Sequence, residues 1–148
     1  MLTIEKSYHF YAAHRNEMLD DKCKNLHGHK YDVTCKFSFT EIGEDGVTML
    51  FSDIDRRLEP LFKSELDHST LMSFADPVKE ALLSHGQKVI ELPHGTSVEL
   101  LCGYLFDRVI DLIPSLISIS IKETQSSLVT MSKEYYQKYY IPKFYGKR

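Results

Sequence analysis

Two long runs of alternating residues dominate this chain and set what it can fold into. Over residues 2–14, Leu2, Ile4, Tyr8, Phe10, Ala12 and His14 share one parity, with Lys6 the exception. Over residues 30–40 the alternation is cleaner. Tyr31, Val33, Cys35, Phe37 and Phe39 face one way, and Asp32, Thr34, Lys36 and Ser38 the other. Period-two patterning of this kind predicts strands buried on one face. The turn signal of residues 42–46 and the short apolar run 46–51 extend the second strand into an expected antiparallel hairpin. Ile117, Ile119 and Ile121 alternate with Ser118, Ser120 and Lys122, and predict a further strand with 128–132 as a partner.

Helical signals fall between these strands. Ser52 reads as an N-cap ahead of Asp53 and Asp55, with Ile54, Leu58, Leu61 and Phe62 as an apolar stripe that Pro60 interrupts. Asp76-Pro77 opens a short helix over 77–85, stopped by Gly86, and residues 88–92 read as a short strand. Thr96 and Glu99 form a capping box before Val98, Leu101, Leu105, Val109 and Leu112, and that helix ends before Pro114. Mixed strands and helices make the chain α+β.

Composition narrows the function classes. The chain has 148 residues, 43% hydrophobic and 26% charged, which suits one soluble domain. A net charge of −3 leaves no global field for a nucleic-acid backbone. No apolar run approaches a membrane span of about 20 residues, and the charged N-terminus is unlike a signal peptide. The three cysteines form no disulfide framework, and the expected location is cytoplasmic. Residues 133–148 differ from the rest. They hold five of the nine tyrosines, with five basic residues against one acid, and are expected to dock on the body or on a neighbouring subunit. Their other reading is an aromatic, basic nucleic-acid arm, carried by one short segment only.

The histidines carry the chemistry. His27 and His29 stand two apart just before a strand, on the parity of Tyr31 and Val33. His14 ends the first strand on its own apolar parity. Three imidazoles aimed inward suit a divalent cation, most often zinc, and three nitrogens leave a fourth position open, as catalytic sites do. The plain alternative is three separately satisfied polar residues. Cys35 and Cys102 read as inert core, whereas Cys23 sits among Lys22, Lys24 and Asn25, where a cation favours the thiolate. Taken alone, it reads as an exposed ordinary thiol. Asp67-His68 can act as a proton relay, although neighbours in sequence do not easily bond each other on one face; the alternative is a surface pair. Glu123 continues the parity of Ile117, Ile119 and Ile121, so its carboxylate needs donors, such as a ligand with paired N–H groups.

FYAAH (10–14), CKNLHGH (23–29), LDHSTL (66–71), GTS (95–97) and KET (122–124) follow in one order. Together they resemble the 6-pyruvoyl-tetrahydropterin synthase / 6-carboxytetrahydropterin synthase family over residues 2 to about 130. The resemblance implies a tunnelling fold over residues 1–132, with a four-stranded antiparallel sheet and two main helices on one face. The short helix 77–85 is then an addition, and 133–148 a tail. It also implies trimers or hexamers with active sites at subunit interfaces. His14, His27 and His29 match the family's zinc ligands, Cys23 its catalytic cysteine, Asp67 and His68 its relay, Glu123 its pterin anchor and Thr96 a pterin contact. Leu50, Met72 and Val98 depart from the usual pattern. The three-residue spacing from Cys23 to His27 resembles the bacterial 6-carboxy branch of the queuosine pathway. That branch acts on 7,8-dihydroneopterin triphosphate. The 6-pyruvoyl branch and a non-catalytic pterin- or metal-binding member are the alternatives.

Overall fold

β1 (Leu2–His14) and β2 (His27–Phe39) pair antiparallel along their whole length, from Leu2 opposite Phe39 to His14 opposite His27. This comes from a computed structural model that describes residues 1–146. Lys147 and Arg148, part of the tail's basic count, lie outside the described residues. The alternating parity of both strands places Tyr8, Phe10, Ala12 and His14 with Tyr31, Val33, Cys35 and Phe37 on one buried face. β2 starts at His27, earlier than its cleanest alternation suggests. The extra turn of strand is what faces the two histidine-bearing ends.

The remaining elements are α1 (Phe51–Glu59), β3 (Ser69–Ser73), α2 (Val78–Ser84), β4 (Val89–Leu92), α3 (Val98–Leu112), β5 (Leu116–Thr124) and β6 (Ser127–Ser132). The sheet has six strands in the order β4-β3-β1-β2-β5-β6, not the four expected. β3 and β4 are the additions. They pair parallel with each other, and β3 meets only the last three residues of β1, Ala12 to His14. Residues 66–71 carry no alternation long enough to announce β3.

The expected hairpin at 30–51 is absent. Residues 41–50 are turns closed by Gly43 N donating to Val47 O at 3.0 Å, and β2 instead pairs with β5. A nine-residue strand buries Ile119 and Ile121 against the core, whereas Val47 and Leu50 remain exposed, so the distant partner wins. α1 begins at Phe51 without a side-chain cap, so Ser52 is not its N-cap. At Pro60, which has no N–H to donate, the helix widens into a π-helical segment (Pro60–Leu66) instead of stopping. α3 is capped by Ser97, which accepts from Leu100 N, not by Thr96.

The core fills the space between one sheet face and the helices. Ile54, Leu58, Phe62 and Leu66 come from α1 and its extension, and Leu101, Leu105, Phe106 and Val109 from α3. Cys35 and Cys102 are buried there, and burial pushes both thiols up to about 12. The opposite sheet face is polar, with Ser7 beside Thr34 and Ser120 beside Thr130. The chain after β6 is helical: α4 (Lys133–Tyr135), a π-helical turn (Tyr136–Tyr140) and α5 (Ile141–Tyr145). It lies on α3, where Tyr136 stacks on Phe106 at 4.4 Å. No helix of the described residues is long and apolar enough to cross a membrane.

Candidate active site

The terminal pair of the β1–β2 ladder brings His14 beside His27, and the parity of β2 adds His29. Their ligand-capable nitrogens all lie within 4.8 Å of one another. Gly28 between the two β2 histidines runs close to β1, where an added Cβ would stand 3.2 Å from Ala12 O. A larger residue would push the two strands apart at the point where the imidazoles meet.

Backbone carbonyls set the ring tautomers. His14 Nδ1 donates to Thr96 O at 3.0 Å, and His27 Nδ1 donates to Asn25 O at 2.7 Å. Each therefore presents its lone pair at Nε2, and these two atoms face each other at 3.1 Å. Two lone pairs so placed repel unless a cation stands between them. The nitrogens of a tetrahedral zinc, each about 2.0–2.1 Å from the metal, are about 3.3 Å apart. His29 Nε2 is buried with no hydrogen-bond partner and lies 3.4 Å from Glu123 Oε1. Burial pushes His14 down to about 4, and burial lowers His29 as well, against the opposing pull of Glu123. Neutral imidazole is the form that binds metal. The donor set thus fits a zinc-like ion held by His14, His27 and His29.

Glu123 sits at the irregularity between Lys122 and Thr124, where the β5–β6 register shifts. Such bulges re-aim side chains. Its carboxylate is partly buried beside His29 and helps line a cavity of about 440 Å³ with Gly28, Lys30 and Gln125. Thr96 is buried with its hydroxyl donating to Arg15 O at 2.6 Å, so it supports the His14 strand end.

Cys23 lies in a 3₁₀ turn (Lys22–Lys24) whose cap, Asp21, accepts from Cys23 N at 2.7 Å. The thiol is held above its ordinary value, first by desolvation and then by the Asp21 carboxylate, with Lys22 acting the other way. The local charge therefore opposes the thiolate, contrary to the expectation from Lys22 and Lys24. After desolvation, Asp21 is the largest contributor, and the turn's backbone is what brings its carboxylate to the thiol.

Asp67 and His68 do bond each other, with His68 Nδ1 donating to Asp67 Oδ2 at 2.7 Å. The sequence expectation to the contrary fails because His68 adopts φ +57, the left-handed region, which swings its ring back. Asp67 Oδ1 accepts from Tyr11 N at 2.8 Å, and His68 N donates to Tyr11 O at 2.7 Å. The Tyr11 N–H in particular holds the Asp67 carboxyl below its usual range. The His68 ring is exposed beside that of Tyr11. Alternation puts the Tyr11 ring on the opposite face of β1 from His14, and the exposed His68 ring lies beside Tyr11 rather than among the three histidines.

Sequence reasoning passed over Asn25 and Tyr31, and it named Thr96 for its side chain only. Asn25 and Thr96 act on the histidines through carbonyls that no side-chain motif reports. Tyr31 is fully buried with an unpartnered hydroxyl, its ring edge-on to His14 and His29.

Residues 3–134 match the family model described as 6-pyruvoyl tetrahydropterin synthase. A 6-carboxy-5,6,7,8-tetrahydropterin synthase of Synechocystis is 35% identical over 89 residues, covering 55% of this chain and 69% of the relative. The protein of that name from Haemophilus influenzae is 26% identical over 135 residues, covering 86% and 96%. Among solved structures, an uncharacterized protein from Wolinella succinogenes superposes with TM-score 0.78 at 17% identity, covering 90% of this chain and 98% of that one. The 6-pyruvoyl tetrahydropterin synthase of Caenorhabditis elegans gives 0.66 at 20%, covering 88% and 94%. These two likenesses support the fold.

Proposed function

The chain belongs to the 6-pyruvoyl tetrahydropterin synthase family, and from that premise we propose that it is a zinc-dependent 6-carboxy-5,6,7,8-tetrahydropterin synthase acting on 7,8-dihydroneopterin triphosphate. The observation that carries the metal part is the pair of Nε2 lone pairs of His14 and His27 facing each other at 3.1 Å. The names of the curated relatives and the short Cys23–His27 spacing support the 6-carboxy product, and hence a role in queuosine-type biosynthesis.

A zinc ion held by His14, His27 and His29 would supply Lewis-acid polarisation of the substrate's side-chain oxygens. In this reading Glu123 accepts from the paired N–H groups of the pterin edge and fixes its orientation. Cys23 takes and returns a proton at Sγ, and His68 handles a second transfer at Nε2 while Asp67 holds its Nδ1–H. The placement of the His68 ring beside Tyr11, on the face of β1 opposite His14, supports a site completed by Asp67 and His68 of a second copy, as the family's interface sites imply. Free edges support such an assembly: among the described residues, β1 before Ala12 has no strand on its β3 side, and β6 ends the sheet. Thr96 is assigned the cross-interface pterin contact by its motif position.

The test is incubation of the zinc-loaded protein with 7,8-dihydroneopterin triphosphate, reading triphosphate release and product mass, with and without a chelator. Zinc-dependent release of triphosphate and acetaldehyde with the 6-carboxy product supports the reading. A 6-pyruvoyl product moves the protein to the other branch. Ligand binding without turnover makes it a pterin-binding member.

A further inference from the structure

His94 lies in the turn between β4 and α3, two residues before Thr96. Its ring stacks on Phe144 at 4.6 Å and 26°, and stands edge-on to Tyr145 at 5.1 Å and to Tyr140 at 6.2 Å. Its Nε2 is buried without a hydrogen-bond partner among the described residues. Three aromatic side chains of the tail thus enclose one residue of the loop. Gly95 follows at φ +130, a turn open to glycine, and delivers the Thr96 carbonyl to His14 Nδ1.

The tail is anchored to the α3 helix. The hydroxyls of Tyr136 and Tyr145 both donate to Asp107, the latter at 2.6 Å. The Tyr140 ring lies against Gly103, where an added Cβ would come within 2.1 Å of it. Tyr136 and Tyr140 are buried by this packing. Residues 135–146 fall beyond the stretch matched by the family model.

We propose that this C-terminal aromatic segment is a positioning element for the three-histidine site: it clamps His94 against the α3 side of the molecule and so fixes the turn whose Thr96 carbonyl holds the His14 ring. The clamp acts at a distance from the metal, through a ring stack, a glycine turn and one carbonyl. It rests on the reading of His14, His27 and His29 as a metal site. Partners that orient a ligating histidine typically change metal affinity about 10- to 100-fold, and a clamp one step further out belongs at the lower end.

The experiment uses the full chain with Phe144→Ala, the conservative Phe144→Tyr, and Tyr139→Ala as a control at an exposed tail ring that packs on Tyr135 and not on His94. Zinc affinity is read by competition with a chromogenic chelator, and amide hydrogen exchange is followed over residues 94–98. Phe144→Ala is expected to weaken zinc about tenfold and to speed exchange in that turn, with Phe144→Tyr near the parent. Tyr139→Ala, which removes a tail ring outside the contacts to His94, is expected to leave zinc affinity and exchange over 94–98 at the parental level. If Phe144→Ala fails to fold, Phe144→Leu is read the same way. A lowered Tm with parental zinc affinity and parental exchange overturns the proposal and leaves the tail purely structural. A parent that binds no zinc overturns the metal reading itself and the clamp with it, a result distinct from equal binding by parent and variant.

Discussion

His14 Nε2 and His27 Nε2 face each other at 3.1 Å while each ring's Nδ1–H is committed to a backbone carbonyl. That relationship orders the whole site. It exists because β1 and β2 pair without slippage across 13 residues, so the last rung of one strand meets the first of the other. A one-residue slip would turn every side chain of one strand to the other face and disperse the cluster.

Replacing His27 or His29 with Ala should remove most bound metal, because two nitrogens make a poor site. Metal content per chain after exhaustive dialysis checks this. One equivalent retained in both variants would exclude the three-histidine assignment.

Cys23→Ala should lower turnover by about 10²–10⁴-fold, the usual contribution of a positioned acid–base group. Zinc content and pterin affinity should stay near those of the parent. Near-parental turnover would mean that another group moves the proton.

Glu123→Gln keeps the side chain's shape but sets an NH₂ group against the ligand's own donors. A charge-assisted hydrogen bond contributes about 1.5–3 kcal/mol, so pterin affinity should fall roughly 10- to 150-fold. Zinc content should not change. Lost zinc with unchanged pterin affinity would move Glu123, 3.4 Å from His29 Nε2, into the metal shell.

Asp67 has a folded-state pKa below its ordinary 3.8, because Tyr11 N and then His68 favour the carboxylate. The unfolded chain therefore takes up a proton first as pH falls. The stability this carboxylate contributes is fully present above about 3.8 and is lost as pH drops through the lower folded value. The stability gap between the parent and Asp67→Asn should be constant near neutrality and close in acid. Urea unfolding midpoints from pH 7 down into acid test this, and a gap that does not begin to narrow below about 3.8 would refute it. Turnover of Asp67→Asn should fall as well, since the His68 tautomer is no longer held by a carboxylate.

Gly103→Ala should destabilise the protein despite alanine's higher helix propensity of about 1 kcal/mol. The new methyl group collides with the buried Tyr140 ring, and overpacking of this kind costs typically about 1–3 kcal/mol. A thermal melt with Tm above the parent's would show that the tail yields without loss.

Local pattern alone determined a good part of this protein. Alternation over 2–14 matches β1 residue for residue, and the apolar spacing of 98–112 matches α3, because burial of one face imposes periods of 2 and 3.6 that need no knowledge of partners. The shared parity of His14, His27 and His29 with the buried positions of their strands follows from the same arithmetic. Tertiary structure decided what periodicity cannot encode. Residues 46–51 are apolar enough for a strand, yet β2 pairs with β5, as in Val33 opposite Ile121, because the longer strand buries more surface. The tautomer of His14 depends on a carbonyl 82 residues away, and the tie between Asp67 and His68 depends on one left-handed backbone angle. The tail's tyrosines announce an aromatic surface, but only packing against Gly103, Phe106 and Asp107 aims it at His94. Which groups meet across such separations is set by how the layers pack, and no short window of sequence contains that information.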